Sequence, residues 1–320
     1  MKISCYSLGY LDGKSWRKRH AGQISSSTAR RKVQEKWSRR ARKLFGRNPV
    51  WLNLVRQGNR YAAGFRQGAR IAFKLLPLPL RGTAAAVLHA PRQTSTLCHV
   101  LRQLRGLPLH QMVVVMHDAT PAFFEKVRAQ PDVLIVYSPE MQDPDGGRAL
   151  GAKLTGTDTV LFVDAERPVK AAKLGRFLWA ADSGLDAALN NVSAELGRFD
   201  QRPYDYRMAE FLNTSLRRTD LKANTMNMLP FALSRRALDS LGIAALMCPP
   251  KAHAAAILSG LKVGVGGRVP VRKRHKDSAA FIKTVLDYAE AWRHALSAAG
   301  IRLLYPDRYR NRQVIEEWVR

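Results

Sequence analysis

Cysteine is scarce in this chain: three residues in 320, Cys5, Cys98 and Cys248, far apart and without a Cys-x-x-Cys spacing. That excludes a disulfide framework and a zinc site built on paired cysteines, and it predicts a reducing, cytoplasmic setting. Long apolar runs are missing too. None approaches the ~18 residues of a spanning helix, and the first twenty residues carry charges where a secretory leader needs an unbroken apolar segment. The expected protein is therefore neither secreted nor integral to a membrane. Acidic residues are the third shortage, 25 against 53 Lys and Arg, for a net charge of +28. Most of that imbalance is local, because residues 1–82 hold 20 basic and 2 acidic residues and account for +18 of it. An arm so charged implies an anionic surface as partner rather than a uniformly cationic enzyme. Nucleic acid fits poorly, since no base-reading module or zinc knuckle is present and phosphate attraction alone is blind to sequence.

With 46% hydrophobic residues the chain can bury a full core. From Ser25 to Phe45 the residues Val33, Trp37, Ala41, Leu44 and Phe45 recur at helical spacing, and basic side chains crowd the other faces, which predicts a basic amphipathic helix. A second helix is expected from Asn48-Pro49 onward through Trp51, Leu54, Val55, Tyr61, Phe65 and Ala69, weakened by Gly58, Gly64 and Gly68. The run Leu75-Leu76-Pro77-Leu78-Pro79-Leu80 then stops any helix and marks a boundary. These helices are either solvated faces packed on the domain or a peripheral anchor, since apolar residues opposite a cationic face bind an anionic membrane surface, here the inner face of the cell membrane.

After Gly82 short apolar runs alternate with helical segments, the rhythm of βα units around a mainly parallel sheet. Strands are expected over Ala84 to His89, Gln111 to Met116, Val133 to Tyr137 and Val160 to Asp164, with an edge strand over Asp186 to Asn191 and another from Leu261 to Val265. Thr120 suits an N-cap with Pro121 at the first helical position. A helix is expected from Arg148 to Leu154, after the loop that ends in Gly146-Gly147. Phe281, Val285, Tyr288, Trp292, Leu296 and Ala299 mark a C-terminal amphipathic helix. The fold class read from this pattern is α/β, divided into a basic helical extension (1–82), a sheet domain (83–270) and a C-terminal helical segment (271–320).

The stretch Val160-Leu161-Phe162-Val163-Asp164-Ala165-Glu166 carries the chemistry. A buried strand delivers two carboxylates, one residue apart, at its carboxyl end, where ligands bind in open α/β sheets. Magnesium or manganese is held by one or two carboxylates with substrate phosphates in other positions, so the pair implies a phosphorylated substrate. A solvated turn would explain the same residues without function.

Taken in order, Ala90-Pro91-Arg92-Gln93, Asp118, the run from Gly146 to Ala152 and Asp164-Ala165-Glu166 resemble the nucleotide-sugar half of family 2 glycosyltransferases with the GT-A fold. The similarity covers about residues 83–270. It implies that Ala90, Pro91, Arg92 and Asp118 contact the base and ribose of a nucleoside diphosphate of the uridine or deoxythymidine type. It implies too that Arg148 lies near the nucleotide and that Asp164 and Glu166 occupy the metal position, with Mg2+ or Mn2+. The sugar would pass to a hydroxyl acceptor. The acidic general base usual in inverting members has no counterpart in Met247 to Ala256. His253 has the ordinary pKa to take a hydroxyl proton near neutrality and is the candidate base. The alternatives are a core or surface histidine there, a retaining mechanism, a base from another segment, or a non-catalytic GT-A-like binding or scaffolding protein.

Overall fold

A computed structural model describes residues 4–20, 25–46, 49–91, 94–140, 143–271, 278–303 and 305. Apolar runs that alternate with helices produce seven strands, β1 (Ala84–Pro91), β2 (Gln111–His117), β3 (Val133–Tyr137), β4 (Thr159–Asp164), β5 (Ala187–Asn190), β6 (Phe231–Ser234) and β7 (Val263–Gly267). They form one sheet in the order β3-β2-β1-β4-β6-β5-β7. All neighbours are parallel except at β6, which runs antiparallel to both β4 and β5. The central strands are buried on both faces, which is why they read as continuous Val, Leu and Ala rather than as an alternating pattern.

Period-2 geometry sends successive side chains to opposite faces. Leu88, Val114 and Leu161 face a core shared with α4 (Leu97–Leu104), α7 (Ala171–Asp182) and α5 (Pro121–Arg128). Val87, Val113 and Phe162 face a second core made with α6 (Pro144–Lys153), α9 (Arg235–Leu241) and α10 (Pro249–Leu258). Helices α8 (Tyr204–Ser215) and α11 (Ser278–Ala299) pack with α10 around Leu212, Ala254, Tyr288 and Ala291.

The N-terminal helices are α1 (Cys5–Arg19), α2 (Ser26–Phe45) and α3 (Trp51–Ala69). Two glycine pairs, each four residues apart, let α1 and α3 touch backbone to backbone. A Cβ on Gly9 would lie 2.1 Å from the Tyr61 carbonyl oxygen, and one on Gly64 would lie 2.0 Å from that of Tyr6. The glycines that weakened the helix reading are thus what the packing requires. Asp12 on α1 is buried and accepts from Lys36 (2.8 Å) and Arg40 (2.7 Å) of α2 and from the Tyr61 hydroxyl (2.6 Å) of α3. Burial pushes its carboxyl up, but the bonds from Arg40, Lys36 and Tyr61 outweigh it and hold the pKa at about 2.

The segment read as a boundary is part of the sheet domain. Leu76, Leu78 and Leu80 are buried in the sheet's core, and the Leu76 amide donates to the Gly106 carbonyl at 2.7 Å. Gln34 of α2 exchanges two bonds with the Leu78 backbone (2.7 and 3.0 Å), and Trp51 stacks on Trp179 of α7. Other departures are local. Helix α1 was not expected, since glycine and polar residues leave it little apolar periodicity. Strand β6 is only four residues long. Helix α6 starts at Pro144 rather than Arg148, because Asp143 caps it through the Gly146 amide (2.9 Å) and Pro144 sits where a missing N–H costs nothing. Strand β7 starts two residues later than expected, at Val263.

Substituting Asp12→Ala should cost roughly 3–5 kcal/mol, because it leaves two cations and a hydroxyl facing a buried gap. Urea unfolding measures it; a loss below about 1 kcal/mol would mean that this cluster does not fasten the three helices.

Candidate active site

Chain order places the site. From β1 the chain steps to β2 and β3 on one side, then crosses to β4 on the other side of β1. The crevice beyond the carboxyl ends of β1 and β4 is therefore a topological switch point, where open α/β sheets bind ligands. A cavity of about 560 Å³ opens there. Its wall includes His89 and Pro91 from β1 and the segment Val163 to Arg167, together with Asp145 and Arg148 from α6.

Asp164 ends β4 in register with His89. Its Oδ1 accepts the Glu166 amide at 2.8 Å, a local turn that fixes the carboxylate at the rim. Ala165 between them is 1% exposed and points into the core, and its carbonyl accepts from the Thr96 hydroxyl at 3.2 Å. Asp164 and Glu166 both line the cavity, and so does Arg167, which has no ion-pair partner among the described residues. Among the described residues no group of three or more His, Cys, Asp or Glu is arranged to hold a metal ion. Two hard carboxylate oxygen donors beside open space suit magnesium or manganese that completes its shell with phosphate and water.

The N-terminal turn of α6 forms the adjacent wall. A Cβ on Gly147 would lie 2.2 Å from the His89 ring, so this glycine is what lets the helix ride over the end of β1. His89 stacks on His117, with His117 Nδ1 3.1 Å from His89 Nε2. Arg148 is ion-paired to Asp145, which also accepts from Lys283 of α11 at 2.7 Å. Burial would push the Asp145 carboxyl up, yet Arg148 and Lys283 outweigh it and hold it below the ordinary range. Lys283 also faces Asp143 (3.2 Å) and Asp287 (3.4 Å), which clasps α11 to α6 across the cavity.

The other expected residues separate. Pro91 is on the cavity wall, Ala90 is wholly buried behind it, and Arg92 lies outside the described residues. Asp118 ends β2 in a left-handed turn (φ 51°), exposed and off the wall of the cavity. His253 is 0% exposed on α10, with Nε2 2.7 Å from the Asn213 Oδ1, and does not line the cavity. Asn213 in turn donates to the carbonyls of Lys222 (2.8 Å) and Asn224 (3.1 Å). Burial, helped by Arg218, lowers the imidazole pKa to about 3. In this position His253 is a neutral core donor, and the geometry gives it no path to an acceptor hydroxyl.

Sequence reasoning missed the far wall: Asp205, Asn227, Lys283, Thr284 and Asp287. Burial pushes the Asp287 carboxyl above its ordinary value, against the opposing charge of Lys283. The Lys283/Asp287 spacing of four residues was visible as a helical pair, but nothing local shows that it faces a distant strand end.

No protein-family model and no curated protein matches the chain. Solved structures do. Glucosyl-3-phosphoglycerate synthase from Mycobacterium tuberculosis, in complex with Mn2+, uridine diphosphate and phosphoglyceric acid, is 17% identical over 71% of this chain and 81% of that one, with a TM-score of 0.50. A mannosyltransferase from Pyrobaculum calidifontis, in complex with GDP-Man and Mn2+, is 14% identical over 93% of this chain and 82% of that one, with a TM-score of 0.46. The chain shares the GT-A fold of that synthase.

A buried histidine held neutral loses folding free energy once the unfolded chain can bind its proton. Its contribution is intact above the unfolded imidazole value of ~6.5 and erodes as the pH falls below it, by roughly 1.4 kcal/mol per unit, down towards the folded value. His253→Gln should flatten the stability profile between pH 6.5 and 5 (about 2 kcal/mol in all). Thermal unfolding across that range checks this, and an unchanged slope contradicts the burial argument.

Proposed function

We propose that this protein is a glycosyltransferase that moves a sugar from a nucleoside diphosphate sugar, of the uridine or deoxythymidine type, to a hydroxyl acceptor. The observation that carries this reading is the Asp164 carboxylate, fixed at the switch point of a GT-A sheet and opening onto a cavity with cationic side chains on its rim. Asp164 and Glu166 would hold Mg2+ or Mn2+. Such an ion, when bound, supplies Lewis-acid stabilisation of negative charge on the departing phosphate.

Breaking the bond between sugar and diphosphate leaves charge on the leaving group, and Arg167, on the cavity wall without an ion-pair partner among the described residues, is a cation that would meet it. Arg148 contributes from within its pair with Asp145, as a fixed positive wall. Pro91 and the buried Ala90 backbone would flank the nucleoside. The contact with base and ribose expected of Asp118 requires the donor to extend from the cavity across the end of β2. For the acceptor's proton Asp287 is better placed than His253. It lines the cavity, and burial raises its carboxyl above the ordinary value, which makes it a stronger proton acceptor. The basic N-terminal helices fit an acceptor that resides on an anionic surface.

Calorimetry with UDP and MnCl2 tests the donor half. Asp164→Asn should weaken manganese-dependent binding by more than the roughly 10–100-fold that loss of a supporting neighbour costs, and unchanged affinity would sink the metal assignment. Asp287→Asn should keep nucleotide affinity while turnover, read as UDP release, falls by about 10²–10⁴. If Asp287→Asn retains full turnover, the proton goes elsewhere.

A further inference from the structure

A second space, of about 590 Å³, lies where α3 meets the sheet domain and shares no lining residue with the first. Three cations, Arg60, Arg66 and Lys74, stand on its walls, all exposed. Arg66 donates to the Phe73 carbonyl at 3.2 Å. No carboxylate lines this groove, and neither Arg60 nor Lys74 has an ion-pair partner among the described residues. The floor is aliphatic, from Ala62, Leu75 and Leu76, all buried.

On the side of the N-terminal helices the acids are already paired. The only two acids of residues 1–82 are Asp12 and Glu35. Asp12 is consumed by Lys36 and Arg40, and Glu35 by Lys32 (2.8 Å) and Arg39 (3.0 Å). With three cations and no carboxylate among its described lining residues, the groove favours an anionic ligand. Among the described residues no aromatic side chain lines it. Single-stranded nucleic acid is gripped by stacking platforms beside its cations, whereas an aliphatic floor under a ring of cations fits a phosphate that carries an apolar body.

The location adds a consequence. Ala171 and Ala172 line the groove, while Val169, two residues before Ala171, lines the candidate active site, so one short segment contributes to both. We propose that this groove seats the phosphate headgroup of an anionic phospholipid, and that through it the protein docks on an acidic bilayer. The proposal does not rest on the transferase reading, because it makes no use of Asp164.

Flotation of the full chain with vesicles, pure phosphatidylcholine against equal parts phosphatidylcholine and phosphatidylglycerol, tests it. The protein should float with the acidic vesicles only, and less so at high salt. Arg60→Gln/Arg66→Gln/Lys74→Gln should weaken binding on the order of 100-fold. A control of equal charge change on α2, Arg31→Gln/Arg42→Gln/Lys43→Gln, should weaken it less than about tenfold. Arg60→Lys/Arg66→Lys should retain binding, which separates charge from folding, and so should Asp164→Ala, which separates docking from donor chemistry. The proposal is overturned if acidic vesicles do not bind or if the control triple is as damaging as the groove triple. It is overturned equally if an RNA oligonucleotide binds more tightly than the acidic vesicles do.

Discussion

The pairing of β4 with β1 is the constraint on which the site depends. Parallel register sets Asp164 opposite His89 and so brings the carboxylate to a place where the sheet's connections diverge and leave a crevice. Everything near it serves that placement. Ala165 is locked into the core, the Glu166 amide holds one oxygen of Asp164, and Gly147 gives the His89 ring the room to lie under α6. A one-residue slip of β4 would turn Asp164 towards the opposite face and close the chemistry.

The second organising interaction is electrostatic and joins segments distant in sequence. Lys283 on α11 meets Asp145 and Asp143 at the start of α6, and Asp145 meets Arg148. Burial alone would push the Lys283 ammonium down, but Asp145, Asp143 and Asp287 outweigh it and keep it charged. The C-terminal helix thus becomes a wall of the cavity rather than an appendage. The N-terminal helices are fastened by a similar device, Asp12 with its two cations and Tyr61.

Much of the sheet was legible in sequence because its strands are buried on both faces and bounded by helical segments, and the rim position of Asp164 followed from that. The helix signals that misled were those in which glycine serves contact rather than flexibility. Gly64 and Gly68 read as weakening a helix, yet they are points of backbone contact between α3 and α1, and Gly146-Gly147 read as loop although Asp143 and Pro144 start a helix before them. Asp143-Pro144 is the same cap-and-proline signal as Thr120-Pro121, so the start of α6 was readable in principle. The far wall was not. Asp205, Lys283 and Asp287 come to the cavity through packing among α8, α10 and α11, and no local pattern encodes that meeting. His253 shows the converse error: an ordinary pKa made it a candidate base, and complete burial against Asn213 removes it from solvent.

The central claim is that Asp164 anchors a divalent ion under the diphosphate of a sugar donor. The most direct measurement is a crystal structure with UDP and manganese, read by the anomalous signal of the metal. The account predicts a manganese peak against the Asp164 carboxylate, with the diphosphate between it and Arg167. Nucleotide bound in the cavity with the metal absent from Asp164, or nucleotide bound elsewhere on the protein, would contradict it.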